Sequence, residues 1–304
     1  MARRYLVVDA FSARPLMGNP VAVILDAEGL GSEQMQAIAR WTNLSETTFV
    51  LPATTPDADY RLRIFTPASE LAFAGHPTLG SARAVIDSGW KAPLDGKLVQ
   101  ECKAGLIDIS LDADDGQLTL QLPAARITPL PDTAVQALSR AYGAPLAADA
   151  AFAAVDVGIV WGVAEIESVE ALLAMRHDLN LAAEVERQND LTGVSLFARY
   201  DDGSIEVRSF AVSDGVPEDP VCGSGNGAVA AYRRHLGQLP HRDWSYLSRQ
   251  GRCVGRDGTV HLSADSDGHI RVGGQCVITA RGQLELQFAL EKPQGVDLTG
   301  HNLT

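Results

Sequence analysis

The sequence has no long apolar run. Its first hydrophobic stretch, in MARRYLVVDAF, is broken by Asp9 after four residues, and no later stretch approaches the roughly eighteen needed to span a bilayer. A secretory leader and a membrane span are therefore not expected. Cysteine is sparse: Cys102, Cys222, Cys253 and Cys276 stand far apart with no CxxC pair, which argues against a zinc ribbon, a thioredoxin-type site or a disulfide framework. A cytosolic protein with reduced thiols is expected. Basic residues are also in deficit, 25 Lys and Arg against 38 Asp and Glu, for a net charge of −13. Such a field repels phosphate backbones and anionic lipid headgroups, so neither nucleic acid nor a membrane is an expected partner. Low-complexity tracts are missing too. With 304 residues, 46 % hydrophobic and 21 % charged, the chain is long enough for two domains or one large one with a full core.

What is present is a repeated grammar. RLRIFTPASELAFAGHPTLGSARAVIDSGW in the first half is answered by EVRSFAVSDGVPEDPVCGSGNGAVAAYRRHLG in the second. Arg63 and Phe65 match Arg208 and Phe210 at an offset of 145. His76, Pro77, Gly80 and Ser81 match Asp219, Pro220, Gly223 and Ser224 at an offset of 143, so a two-residue indel reconciles the blocks. Downstream, IDISLDADDGQLTLQL and VHLSADSDGHIRVGG both read as hairpins around an Asp-Gly turn. Duplication follows, with halves 1–127 and 128–304, a proline-bearing linker at Arg126–Pro131, and a C-terminal tail that packs back on the first half.

Each half reads as strands, one central helix, then more strands. VVDAF, NPVAVIL, FVLPA and YRLRIF have strand character. Ser32 is placed as the cap of a helix carrying Met35, Ile38 and Ala39 that ends before Asn43. Pro77 suits a first helical turn, and that helix carries Leu79, Ala82, Val85 and Ile86 before stopping at Gly89. The second half adds helices over Val135–Tyr142, capped by Asp132 and ended by Gly143, and over Val169–Met175. Strands and helices do not alternate one for one, which excludes a doubly wound parallel sheet. The fold class is α+β: two similar halves, each a curled, mostly antiparallel sheet around a central helix, with a cleft between them.

Chemistry is expected at the helix starts. Gly223-Ser-Gly-Asn-Gly opens a helix with free backbone N–H groups at the positive end of its dipole, suited to a carboxylate or phosphate. It lacks the Lys and spacing of a P-loop and the spacing of a dinucleotide fingerprint, so a plain structural turn is the other reading. Ala74-Gly75-His76-Pro77 makes a similar start in the first half. His76 is either an imidazole placed for proton transfer or a helix-capping or core residue; Asp219, its counterpart in the sequence repeat, either faces it across the cleft or caps the next turn. Glu46, among small polar and apolar residues, is either a carboxylate whose pKa is raised toward that of a general base or an exposed residue at a strand edge. Asn19 suits a turn first and a substrate contact second. Cys222 reads as a packing residue or as an acid/base thiol. His177, His235, His241, His261, His269 and His301 form no HExxH motif, so packing or surface roles are expected and no metal site is.

Taken together these residues resemble the PhzF family, the phenazine biosynthesis-like proteins. The shared motifs run through the chain: Asp9-Ala-Phe11, Gly18-Asn-Pro-Val-Ala-Val23, Asn43-Leu-Ser-Glu-Thr47, Arg63-Ile-Phe-Thr-Pro67, Gly75-His-Pro-Thr-Leu-Gly80, Glu218-Asp-Pro220 with Gly223-Ser224, and Val272-Gly-Gly274. The resemblance implies a diaminopimelate-epimerase-like fold and a homodimer. It implies a cofactor-independent isomerase acting on a small anionic carboxylic acid, such as trans-2,3-dihydro-3-hydroxyanthranilate. It also implies that Glu46 moves the proton, that His76, Asp219 and Ser224 line the site, and that amides at Gly75, Gly223 and Ser224 cradle the carboxylate. Cys222 falls where related racemases carry one of two catalytic thiols, but the second position is Ala74. An amino-acid racemase or epimerase using Cys222, and a non-catalytic carboxylate-binding protein, are the alternatives.

Overall fold

The computed structural model describes residues 2–286 apart from Ala144 and Asp149. His301 and the last part of the expected C-terminal tail lie outside these residues. Strands β1 (Ala2–Ala10), β2 (Asn19–Ile24), β3 (Glu46–Leu51), β4 (Tyr60–Phe65), β5 (Glu70–Leu71), β6 (Lys97–Cys102), β7 (Gly105–Leu111), β8 (Leu118–Gln121) and β9 (Arg126–Pro129) are followed by nine more. These are β10 (Ala153–Asp156), β11 (Val160–Glu165), β12 (Gly193–Arg199), β13 (Ile205–Ala211), β14 (Val216–Asp219), β15 (Trp244–Gln250), β16 (Gly258–Ala264), β17 (Ile270–Gly274) and β18 (Cys276–Glu285). The α-helices are α1 (Ser32–Thr42), α2 (Gly75–Asp87), α3 (Asp132–Tyr142), α4 (Val169–Ala174), α5 (Leu179–Gln188) and α6 (Gly223–His235).

The pairing scheme occurs twice. Antiparallel β1–β2, parallel β2–β3, antiparallel β3–β4 and β4–β5, parallel β4–β6 and antiparallel β6–β7–β8 recur in the same order from β10 to β17. Three further pairings join the repeats. β8 lies antiparallel to β17, β9 crosses to pair with β10, and β18 crosses to pair with β1. The segment read as a linker is thus strand β9: its backbone groups pair with β10 from Arg126↔Asp156 to Pro129↔Ala153, and its prolines sit at the strand's end and at the N-cap of α3.

Both central helices are buried in one core. Leu79, Ala82 and Val85 of α2 and Val229 and Tyr232 of α6 belong to the same apolar cluster, and truncating a side chain such as fully buried Leu79 to Ala costs about 2–5 kcal/mol. Glycine allows the helices to approach the sheet closely: a Cβ at Gly80 would collide with Val21, and one at Gly227 with Leu122. Two caps shift by one residue. Gly31, not Ser32, is the N-cap of α1, because Gln34 Oε1 accepts the Gly31 N–H at 2.9 Å while Ser32 Oγ accepts from Arg63. Pro131, not Asp132, is the N-cap of α3, and Asp132 sits in the first turn where the helix dipole favours an acid. Asn43 and Gly143 end their helices in the left-handed conformation. Among the described residues no helix is long and apolar enough to cross a membrane.

Candidate active site

Glu46 is the first residue of β3, in parallel register opposite Val21 of β2. The link from α1 is short and pinned by the Thr42 and Thr47 hydroxyls at 2.6 Å. Because β3 runs between β2 and β4, Glu46 is not at a sheet edge, and its side chain is 15 % exposed. His76, second residue of α2 and 7 % exposed, puts Nε2 at 3.2 Å from Glu46 Oε2. It is not a cap, since Ala74 occupies that position.

Asn19 opens β2 and is buried. Rather than serving a local turn it reaches across the repeats: Nδ2 donates to Asp219 Oδ1 at 2.8 Å and to the Val221 carbonyl at 3.0 Å. Those two bonds use both amide hydrogens, so its 3.4 Å approach to His76 Nδ1 is a packing contact. Asp219, last residue of β14, also accepts the Val221 N–H at 3.1 Å and so caps its own turn while bonded to Asn19, which packs against His76.

Burial pushes the Glu46 carboxyl up, but the His76 imidazolium and a hydrogen bond from Ser45 outweigh it and leave the group below the usual carboxylate range. Neither sequence reading, a raised carboxyl or an exposed strand-edge residue, describes this, because the local sequence does not show the histidine 30 residues away. His76 is the mirror image: burial pulls it down, while Glu46 and then Asp219 raise it above the ordinary imidazole value. Asp219 is pushed up to about 6, by burial and by Glu46 against the pull of His76. Glu46 and His76 thus each favour the other's charged form, beside a second carboxyl raised to about 6.

Cys222 is the N-cap of α6; its sulfur accepts the Gly225 N–H at 3.3 Å and lies 3.5 Å from Ser224 Oγ. Burial, and then Asp219, raise the thiol well above its ordinary pKa, so it is neutral. Trp161 Nε1 donates to Ser224 Oγ at 3.3 Å, and Gly223 packs against the Phe11 ring, which a Cβ there would press. In the first turn of each helix two backbone N–H groups, at Gly75 and His76 and at Gly223 and Ser224, make no hydrogen bond among the described residues. Pro77 carries no N–H, and the donors that follow are bonded: Thr78 to the Ala74 carbonyl, Gly225 to Cys222 Sγ and Asn226 to the Cys222 carbonyl.

The site residues meet, but not by the symmetry the sequence suggests. α2 and α6 start at an offset of 148, which aligns Ala74 with Cys222 and His76 with Ser224. The same offset relates Glu70 and Glu218, the partners of Arg63 and Arg208. The His-Pro and Asp-Pro steps misled because the helix starts are set by extended N-cap backbones, not by the dipeptides. Register also gives Glu46 its counterpart: Thr47 faces Phe65 as Val194 faces Phe210, so Glu46 matches Gly193, where a Cβ would collide with the Phe210 carbonyl and the Trp161 ring. Gln250 and Trp161 belong to the site surroundings and were not foreseen; alternation in WSYLSRQ marks Gln250 as inward-facing, but nothing local gives it a partner.

Among the described residues the remaining histidines do not converge here. His177 packs between Tyr142 and Phe210. His269 approaches Asp265 and Asp267 in the β16–β17 turn, where Asp265 is already engaged by two backbone N–H groups and Arg271.

The phenazine biosynthesis-like protein family (PhzC-PhzF) matches residues 8–282. Antisense-enhancing sequence 1 of Schizosaccharomyces pombe is 39 % identical over 91 % of this chain and 96 % of its own length. The trans-2,3-dihydro-3-hydroxyanthranilate isomerase of Pseudomonas aeruginosa is 33 % identical over 93 % of this chain and 99 % of its own length. A crystal structure of a PhzF-family protein from Bacillus anthracis superposes with a TM-score of 0.83 at 24 % identity, covering 94 % of this chain and all of that one.

Proposed function

The chain belongs to the phenazine biosynthesis-like (PhzF) family, and from that premise we propose that it is an isomerase that moves a proton on a small unsaturated hydroxy or amino carboxylic acid. The observation that carries the reading is the Glu46–His76 pair at 3.2 Å beside two helix starts whose first N–H groups make no hydrogen bond among the described residues. The substrate carboxylate docks on the amides of Gly75, His76, Gly223 and Ser224, where both helix dipoles favour negative charge. Glu46 takes a proton from an acidic carbon: that C–H bond breaks, an O–H bond forms, and the electron pair delocalises through the unsaturated system into the carboxylate. The protonated Glu46 then returns the proton to a different carbon. His76, whose protonated form Glu46 and Asp219 favour, offsets the negative charge on the substrate, and Asp219 and Asn19 orient its polar groups. This sequence of steps needs no cofactor. In the same proposal the two halves divide within β9, near residue 127, and the protein works as a homodimer.

Racemisation with Cys222 as a base is disfavoured by its neutral thiol and by Ala74 at the matching position. The test is proton exchange in D₂O, followed by NMR, with a panel of cyclic unsaturated hydroxy acids and amino acids that includes trans-2,3-dihydro-3-hydroxyanthranilate. Positioned acid/base groups contribute about 10²–10⁴ in rate, so Glu46→Gln should lose at least that much while remaining folded. A fully active Gln variant sinks the assignment, and acid-induced shifts without exchange in the wild type favour a binding protein.

A further inference from the structure

We propose that Gln250 is a positioning residue for the acid/base cluster, clamping the Asp219–Cys222 turn onto the start of α6 so that the Asp219 carboxyl is held against Asn19 and beside His76. Its functional meaning rests on the isomerase reading; its structural content does not. Gln250 ends β15 and is 1 % exposed. Its Oε1 accepts the Cys222 N–H at 3.1 Å and the Asn226 Nδ2–H at 2.7 Å, and its Nε2 donates to the Asp219 carbonyl at 2.9 Å. An amide side chain offers two acceptor and two donor positions, and three of these four are spent on one turn and the helix that follows it.

The first half shows what a purely internal role looks like. Gln100, buried on β6, donates to Thr78 Oγ1 at 3.1 Å and accepts from Tyr60 OH at 3.2 Å. Thr78 and Asn226 are both the fourth residues of their helices, so each repeat ties its helix to a glutamine on the corresponding strand. Only Gln250 also bonds the segment leading into its helix, and that segment carries a candidate site residue. The Asp219 residue is thereby fixed at both ends: its carboxyl by Asn19 and Val221, its carbonyl by Gln250. Releasing the carbonyl lets the turn rotate and carries the charge away from His76.

His76 reports this directly. The charged groups facing it are Glu46 from β3 and Asp219 from β14, with the neutral Asn19 amide against Nδ1. The experiment is an NMR titration of the His76 ring signals in the wild type, Gln250→Met and Gln250→Asn, beside D₂O exchange rates. Methionine keeps the length and loses every bond; asparagine keeps the amide but is one carbon short. In both variants the His76 midpoint should fall by about half a pH unit or more as the Asp219 charge moves off, and exchange should slow about tenfold, since small misplacements at a reacting centre are costly. Should the Met variant fail to fold, the smaller Asn change carries the test. A folded variant with lower thermal stability but the wild-type His76 midpoint and exchange rate makes Gln250 merely structural and overturns the proposal. Loss of the isomerase reading shows separately, as a wild type that exchanges nothing, and the His76 titration still decides the role of Gln250.

Discussion

The two repeats use one scaffold for unequal work. Each sets an Arg-x-Phe strand beside its central helix, with the guanidinium stacked over the Phe ring at 5.1 Å for Arg63 and 5.2 Å for Arg208. Each pairs that arginine with a glutamate, and each has two amides at its helix start that make no hydrogen bond among the described residues. The side chains that titrate are distributed differently. The first repeat supplies Glu46, His76 and Asn19; at the positions matching Glu46 and His76 the second has Gly193 and Ser224, and it contributes Asp219 from the strand before its helix. In the proposed mechanism the duplication supplies a paired anion cradle, while the acid/base chemistry is one-sided. A single carboxylate working on one side of a bound acid suits the relocation of a proton better than inversion between two opposed bases.

The largest difference between the repeats on which stability can be tested is the burial of the matching ion pairs. Arg208 and Glu218 have side chains only 5 % and 8 % exposed, and Arg208 also donates to the carbonyls of Leu172 and Met175. Arg63 and Glu70 are 22 % and 14 % exposed, and Glu70 has a second cation, Lys103, at 2.6 Å. Removing one partner of a buried pair strands the other charge and costs about 3–5 kcal/mol. A partly solvated pair with a substitute cation costs on the order of 1 kcal/mol. Arg208→Met should thus lower the urea midpoint far more than Arg63→Met; equal losses would mean that the two pairs are energetically equivalent despite their burial.

Much of this was legible in the residues. Periodicity and turn residues located both central helices and the paired hairpins, and the family motifs contained Glu46, His76, Asn19, Asp219 and the two glycine starts. What stayed hidden depends on partners remote in sequence. Glu46 reads in sequence as either a raised carboxyl or an exposed edge residue because only the fold brings the α2 histidine to it. β9 looked like a linker because a strand that crosses to the other repeat has no neighbour in its own half to reveal it. The offset of the helix starts was misjudged because proline steps stand out in sequence whereas an extended N-cap does not. For Gln250 local alternation marks only an inward face and not its role, since its three partners lie 24 to 31 residues away.

Asp219 sharpens the contrast between a residue kept for stability and one held against it. Its carboxyl is at about 6 in the folded chain against an ordinary 3.8. A carboxyl with a raised folded pKa favours the folded state only while it is protonated. As pH rises through the unfolded value and on toward 6, the unfolded chain ionises first and stability falls; above about 6 the penalty is constant. Asp219→Asn removes that penalty and keeps an oxygen for Asn19. The variant should match the wild type near pH 3.5 and gain on the order of 1–3 kcal/mol by pH 7.5, while losing exchange activity. Melting curves across that range test it, and a variant less stable at pH 7.5 would show that the charge is stabilised in place.

Cys222 is the smallest and most discriminating case, because it stands where the second repeat departs from Ala74 of the first. As the N-cap of α6 its sulfur satisfies one backbone N–H, and a serine hydroxyl does that at least as well. If the thiol only caps the helix, Cys222→Ser should leave stability within about 1 kcal/mol and leave the exchange rate within about threefold, far short of the 10²-fold or greater loss expected for a transferring acid or base. Solvent deuterium entering the α-carbon of an amino acid and abolished by Cys222→Ser would move the chemistry to the second repeat. Retained exchange in the serine variant keeps it with Glu46 in the first.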